Sequence, residues 1–194
     1  MKKEKIISLI NNLFAAAILI CVGFSCKPNV KDPIEIAKTT NEMRLNAEIN
    51  EDSKYIIRFY SDNLYEIKIS EDAETISTSI EVQNLATKLA VSHTILNNKI
   101  RDLASKKNIS LPEGLTEEQT KNYQSLHEKV GYDFNVGYTQ AIYERHKEAI
   151  SILEKIINNS TDPEIKTWAE ETLLETHEHL SIATVCYEHI KLPT

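Results

Sequence analysis

The chain has 194 residues, 41% of them hydrophobic, with only 4 Gly and 5 Pro, and it carries a formal charge of −7. So few turn formers exclude a turn-rich β protein and favour long regular elements. Apolar residues recur periodically through the second two thirds, which excludes a disordered chain, and the acidic balance disfavours nucleic acid or anionic lipid as a partner.

Residues 1–25 read as an export leader rather than as part of a fold. Lys2, Lys3 and Lys5 form a basic start, and Leu13 to Phe24 is an uninterrupted apolar run. That run is too short to span a bilayer comfortably and suits a signal segment. It ends Gly23-Phe24-Ser25-Cys26. A small residue directly before cysteine resembles the bacterial lipobox, although Gly23 and Phe24 stand where Leu and a small residue are usual. The expectation is a lipid on Cys26, a mature chain beginning there, and a domain exported to the bacterial envelope and tied to its membrane. A plain secretory signal or an uncleaved anchor are the alternatives. Loss of Lys2, Lys3, Lys5 and Glu4 with the leader takes the charge from −7 to −9. Acyl chains, at about 0.8 kcal/mol per buried methylene, would then anchor the protein in place of a basic patch. Cys21 leaves with the leader, so Cys186 has no partner for a disulfide within the chain and reads as a buried, inert thiol.

Residues 27–31, with Pro28, form a tether. Asp32-Pro33 reads as a helix cap and first helical position, opening a short polar helix over about residues 34–49. Its apolar pattern is thin, as in a loosely docked arm; residues 26–52 are thus tether and arm, and 53–191 the main domain. The first long helix covers about residues 53–75, with Ile56, Phe59, Tyr60, Asn63, Ile67 and Ser70 on one side and Glu66 toward its edge. Ser79 caps the second, which runs to about Lys107 along the stripe Val82, Leu85, Leu89, His93, Leu96, Ile100, Leu103. Leu111-Pro112-Glu113-Gly114 breaks the helix. Thr116 with Gln119 three residues on forms a capping box and starts a short helix that ends at Gly131. Two more long helices follow, joined by residues 158–163, with Asp162 as cap and Pro163 at the first position. His146 lies in the stripe Tyr138, Ile142, Ala149, Leu153, Ile156. His179 lies in Ala169, Leu173, Thr176, Leu180, Ala183. Trp168 and Tyr187 help to seal the last helix. Four helices of about 22–27 residues, with one short helix in the long central connection, predict an all-α, antiparallel four-helix bundle.

These residues resemble a bacterial family known as domain of unknown function 4142, grouped with ferritin-like bundles. The resemblance covers about residues 55–183. It rests on Tyr65-Glu66-Ile67-Lys68, Ser92-His93-Thr94, the connection from Lys106 through Asn108 to Leu111-Pro112, Gly131-Tyr132-Asp133-Phe134 leading to Tyr138 and His146, and Asp162-Pro163-Glu164-Ile165-Lys166 leading to His179-Leu180. The chain has Ser92 where the family has Asp, and Leu173-Leu174 where it has Leu-Pro. The resemblance implies a ferritin-like fold and no established reaction.

Counting from the two tight turns places five residues near mid-bundle. Glu66 lies 12 residues before Thr78 and His93 15 after it; His146 lies 14 before Ser160, and Glu175 and His179 lie 15 and 19 after it. At a constant rise per residue these fall within one or two turns of each other. Ferritin-like metal bundles gather Glu and His at that depth, with Glu three residues before His on two helices. Here Thr176 precedes His179 and Ala90 precedes His93 at that spacing, which argues against a di-iron centre. A single transition-metal ion held by His93, His146, His179 and Glu66 or Glu175 is one reading, since imidazole suits zinc, copper or iron. The other is that each imidazole is neutral, interior and bonded to its own local partner, with no cofactor. His127, His177 and His189 read as solvated, and Tyr123, Tyr132, Tyr138 and Tyr143 as packing residues. No Ser-His-Asp set, phosphate loop or nucleotide fingerprint is present. Two functions follow: a non-enzymatic, lipid-anchored envelope bundle acting in binding or stress tolerance, or a metal-binding bundle. The first expectation for the histidines is the structural one.

Overall fold

The structure is a computed structural model that describes residues 32–192. Six helices and no strand occur among them: α1 (Pro33–Arg44), α2 (Ala47–Ile76), α3 (Ile80–Lys107), α4 (Glu117–His127), α5 (Gly131–Asn159) and α6 (Pro163–Lys191). The leader, the tether and Cys26 lie outside the described residues. None of the described helices is long and apolar enough to cross a membrane.

The starts follow from local chemistry. The first N–H groups of a helix have no partner within it, and a short polar side chain just before the helix can accept from them. Asp32 accepts from the Ile34 N–H, Asn46 from Ile49, Ser79 from Val82, and Asp162 from both Glu164 and Ile165. Thr116 and Gln119 form the expected reciprocal box, at 3.0 Å in each direction. Asn108 ends α3 in the left-handed region, φ 57°, behind Lys106 and Lys107, which complement the negative helix end.

Three boundaries differ from the sequence reading. The polar helix stops at Arg44, where Leu45 turns extended and Asn46 caps a new start, so the first long helix begins at Ala47 rather than near Ser53. The short central helix ends at His127; Gly131 opens α5 with φ +55°, a conformation open to glycine because it lacks a Cβ. The long helices have 28 to 30 residues, somewhat more than expected. Nor is α1 loosely attached. Asn41 is fully buried, donates to the Ser110 carbonyl at 3.1 Å and accepts from the Ser110 N–H at 2.7 Å, while Ala37 joins the core. A side-chain amide that satisfies both backbone groups of one residue pins the arm where its thin apolar pattern could not.

The long helices pair in reverse order. Between α2 and α5, Arg58 meets Glu148, Asp62 meets Arg145, Ser70 meets Tyr138 and Ser77 meets Asn135. Between α3 and α6, Glu81 meets His189 and Lys106 meets Glu164. Asn63 meets His93 and Tyr60 meets Arg101 across α2 and α3.

The interior is divided. One apolar cluster holds Ile56, Phe59, Leu96, Ile100, Leu153, Ile156, Ile165 and Trp168, with Trp168 edge-on to Phe59 at 5.7 Å. A second holds Tyr65, Ile69, Val82, Leu89, Phe134, Tyr138, Ile142 and Ala183. Each long helix passes from one cluster to the other, and at each crossing it buries polar residues: Asn63 and Glu66 on α2, His93 on α3, His146 on α5, Thr176 and His179 on α6. Burying a Leu- or Ile-sized side chain contributes about 1.5–3 kcal/mol, so both clusters stabilise the fold. The layer between them does not, because buried polar groups must find partners merely to break even.

Candidate metal centre

His93, His146 and His179 are each less than 5% exposed. Their ring centroids form a near-equilateral triangle with sides of 5.3, 5.4 and 5.5 Å. One ligating atom from each lies within 4.8 Å of the other two. The three rings therefore converge, where the structural reading expected them to point to separate local partners. In a tetrahedral site with nitrogen at about 2.0–2.1 Å from zinc, neighbouring donors are about 3.4 Å apart, so loading would draw the rings together by an ångström or so.

Two of the rings are oriented by hydrogen bonds that leave a lone pair free. His146 Nδ1 donates to the Ile142 carbonyl at 2.9 Å. A carbonyl can only accept, so Nδ1 carries the proton and Nε2 is bare. His93 Nδ1 donates to Asn63 Oδ1 at 2.9 Å, and its Nε2 is bare in turn. Both Nε2 atoms are buried without a hydrogen-bond partner. Metal-ligating histidines take this form, with one nitrogen donating to a protein oxygen and the other facing the ion.

Glu66 flanks the triangle. The sequence pattern set it at the edge of its helix face, but it is 1% exposed. Its Oε2 lies 3.4 Å from His93 Nε2 and 3.3 Å from His146 Nδ1, and it too lacks a hydrogen-bond partner. These contacts have the spacing of ion pairs without the charge. Burial pushes the Glu66 carboxyl up to about 8, opposed by the charge of Arg145 and assisted by that of Asp62. Burial also takes His146 and His179 down to about 4 and holds His93 well below its ordinary value. At neutral pH in the absence of metal, acid and imidazoles are all neutral. A cation among them would reverse this for Glu66, because a nearby positive charge favours the carboxylate.

Neither carboxylate belongs to the group of converging donors: Glu66 flanks it, and Glu175, one turn before His179, is only half-buried on α6. Exposed His127 meets Asp72 and exposed His189 meets Glu81, while His177 is exposed. Tyr138 is fully buried, with its hydroxyl 3.0 Å from Ser70 Oγ. Cys186 is buried and its thiol is pushed up to about 12 by burial and by Glu81. Sequence reasoning counted Asn63 as a stripe residue and gave Asn97, buried with both amide atoms unpartnered, no role at all. The available signal was an amide sitting in an otherwise apolar stripe beside a histidine.

The described residues thus define an all-helical protein with a three-histidine centre buried between two apolar clusters. The chain belongs to the family described as domain of unknown function (DUF4142), which it matches over residues 37–185. No curated protein and no solved structure matches it.

Proposed function

We propose that this protein is a metal-binding helical bundle that holds one transition-metal ion on His93, His146 and His179, with Glu66 as the adjoining carboxylate. The observation that carries this reading is the convergence of three buried imidazoles, two of which present unpartnered Nε2 atoms already oriented through Nδ1. Leaving several polar atoms bare at one interior level is costly, and an ion would satisfy them together. Neutral imidazoles with one carboxylate suit zinc, copper or iron better than the soft thiolate-seeking ions or the oxygen-seeking calcium and magnesium. The reverse-order pairing of the long helices supports an antiparallel, ferritin-like four-helix arrangement, in which donors from separate helices meet in the core. None of the three histidines has Glu three residues before it, since Ala90, Tyr143 and Thr176 stand there, and this favours one ion over two.

The site's depth favours holding an ion over rapid turnover of a substrate. The leader ending in Ser25-Cys26 supports an exported domain, tethered to the envelope membrane by lipid on Cys26. The test is metal content. The purified protein, stripped with chelator and offered zinc, copper, iron and cobalt in turn, should retain one equivalent of at least one of them after desalting. Clearly sub-stoichiometric retention of all four would refute the reading and leave the histidines as structural residues.

A further inference from the structure

The histidines are almost sealed from solvent, so an ion needs a way in. A groove of about 1070 Å³ opens on the side formed by α1, α2, α4 and α5. Its lining includes Asp62, Tyr65 and Arg145. Each of these adjoins in sequence a residue of the buried polar layer: Asp62 precedes Asn63, Tyr65 precedes Glu66, and Arg145 precedes His146. Arg145 closes this wall. Its Nη1 lies 3.1 Å from Asp62 Oδ1, and its guanidinium stacks 4.0 Å above the Tyr65 ring. Asp62 is held in turn by Gln119 of α4 at 3.2 Å. The lining carries seven acidic side chains against five basic ones, so the groove favours a cation.

We propose that this groove is the route by which the metal reaches the three histidines, and that Arg145 is the plug that must swing aside to admit it. The inference rests on the metal-binding reading. In its closed position Arg145 is a positive charge felt by Glu66, which a dication arriving at the histidines opposes. Glu148, three residues along the same helix, also lines the groove and, among the described residues, is held only by exposed Arg58 at 3.5 Å, so it offers a place to which the guanidinium can turn. The ring contact and a partly buried ion pair hold the plug, so its removal should change rates by about tenfold. Outside the groove lining, exposed Lys88 of α3 is a positive charge that reaches His179.

The test follows Co²⁺ uptake by the full chain through visible absorption, and Co²⁺ release into excess EDTA. Two substitutions separate a plug from plain electrostatics, because the two effects have opposite signs. Removing a positive charge near a bound cation by itself slows release, whereas removing a plug speeds it; Arg145→Met should therefore release Co²⁺ about tenfold faster. Removing a negative charge by itself slows loading, whereas loosening the plug speeds it; Asp62→Asn should load Co²⁺ faster than the parent. Lys88→Met removes a positive charge that reaches His179 without touching the plug, so its release of Co²⁺ should be no faster than the parent's. Melting curves confirm that each variant is folded, and either of the first two suffices should the other fail. Slower or unchanged release in Arg145→Met, slower or unchanged loading in Asp62→Asn, or faster release in Lys88→Met would overturn the route. Failure of the parent protein to take up Co²⁺, zinc, copper or iron would instead overturn the metal reading itself.

Discussion

Replacing His93 by alanine separates a metal centre from a structural histidine layer. In the metal-free protein the substitution removes a ring held at 5.3 and 5.4 Å from its two neighbours and leaves Asn63 Oδ1 without the proton it accepts. An orphaned buried acceptor costs about 1–3 kcal/mol. It also removes the bare Nε2, which recovers part of that cost, so a net destabilisation of about 1–2 kcal/mol is expected for the apo form. The larger effect lies in what metal can no longer do. At a free ion concentration a thousandfold above Kd, binding stabilises the native state by about 4 kcal/mol. For a chain of this size each kilocalorie raises Tm by about 2–4 °C, so the parent should gain roughly 8–16 °C. Differential scanning calorimetry with chelator and then with zinc reads both quantities. His93→Ala should lose most of the zinc-dependent gain, while exposed His177→Ala keeps all of it. A full zinc-dependent gain in His93→Ala would refute the three-histidine centre, because the ion would then be bound elsewhere.

Other outcomes follow from separate parts of the molecule. Leu89 and Leu153 are fully buried in the two different apolar clusters, and truncation of either to alanine should cost about 2–5 kcal/mol in urea unfolding; a loss of under about half a kilocalorie would mean that the clusters are misread. Cys186, buried with its thiol pushed up to about 12, should resist a disulfide reagent at pH 8 in the native protein and react on unfolding; rapid native reaction would contradict its burial. Cys26→Ala should abolish incorporation of labelled fatty acid, and label persisting on the variant would refute lipidation there. Metal-free stability should peak near pH 6.5. Neutral burial of His146 and His179, with pKa taken from 6.5 to about 4, stabilises fully above 6.5 and is lost as pH falls through 4, whereas Glu66, raised from 4.5 to about 8, stabilises below 4.5 and is lost as pH rises through 8. Glu66→Gln should remove the falling limb above pH 6.5 in chemical denaturation, and an unchanged limb would show that Glu66 does not cause it.

How far the sequence reaches depends on which forces act along a helix and which act between helices. Leu89, Leu153, His146 and His179 were legible because a period of 3.6 residues records burial directly, and Asp162, Ser79 and Thr116 because caps are local. Counting residues from two tight turns also brought the histidines to one depth. Direction of the rings was not legible, because it is set by Asn63 from another helix and by the Ile142 carbonyl, and neither leaves a trace in spacing. Glu66 and Glu175 looked equivalent by level, yet one is enclosed beside His93 and the other remains half-exposed. A level fixes height along a bundle but not angle around it, and an error of one residue turns a side chain by about 100°. The attachment of α1 escaped for a related reason. Its apolar pattern is weak, and its hold depends on Asn41 matching the backbone of Ser110, 69 residues away. Asn63 and Asn41 share one property that a sequence does display: each is an amide on the buried face of its helix. Burying such a residue is costly unless its hydrogen bonds are met, so an amide within an apolar stripe directs the search to a partner on another element even when it cannot say which.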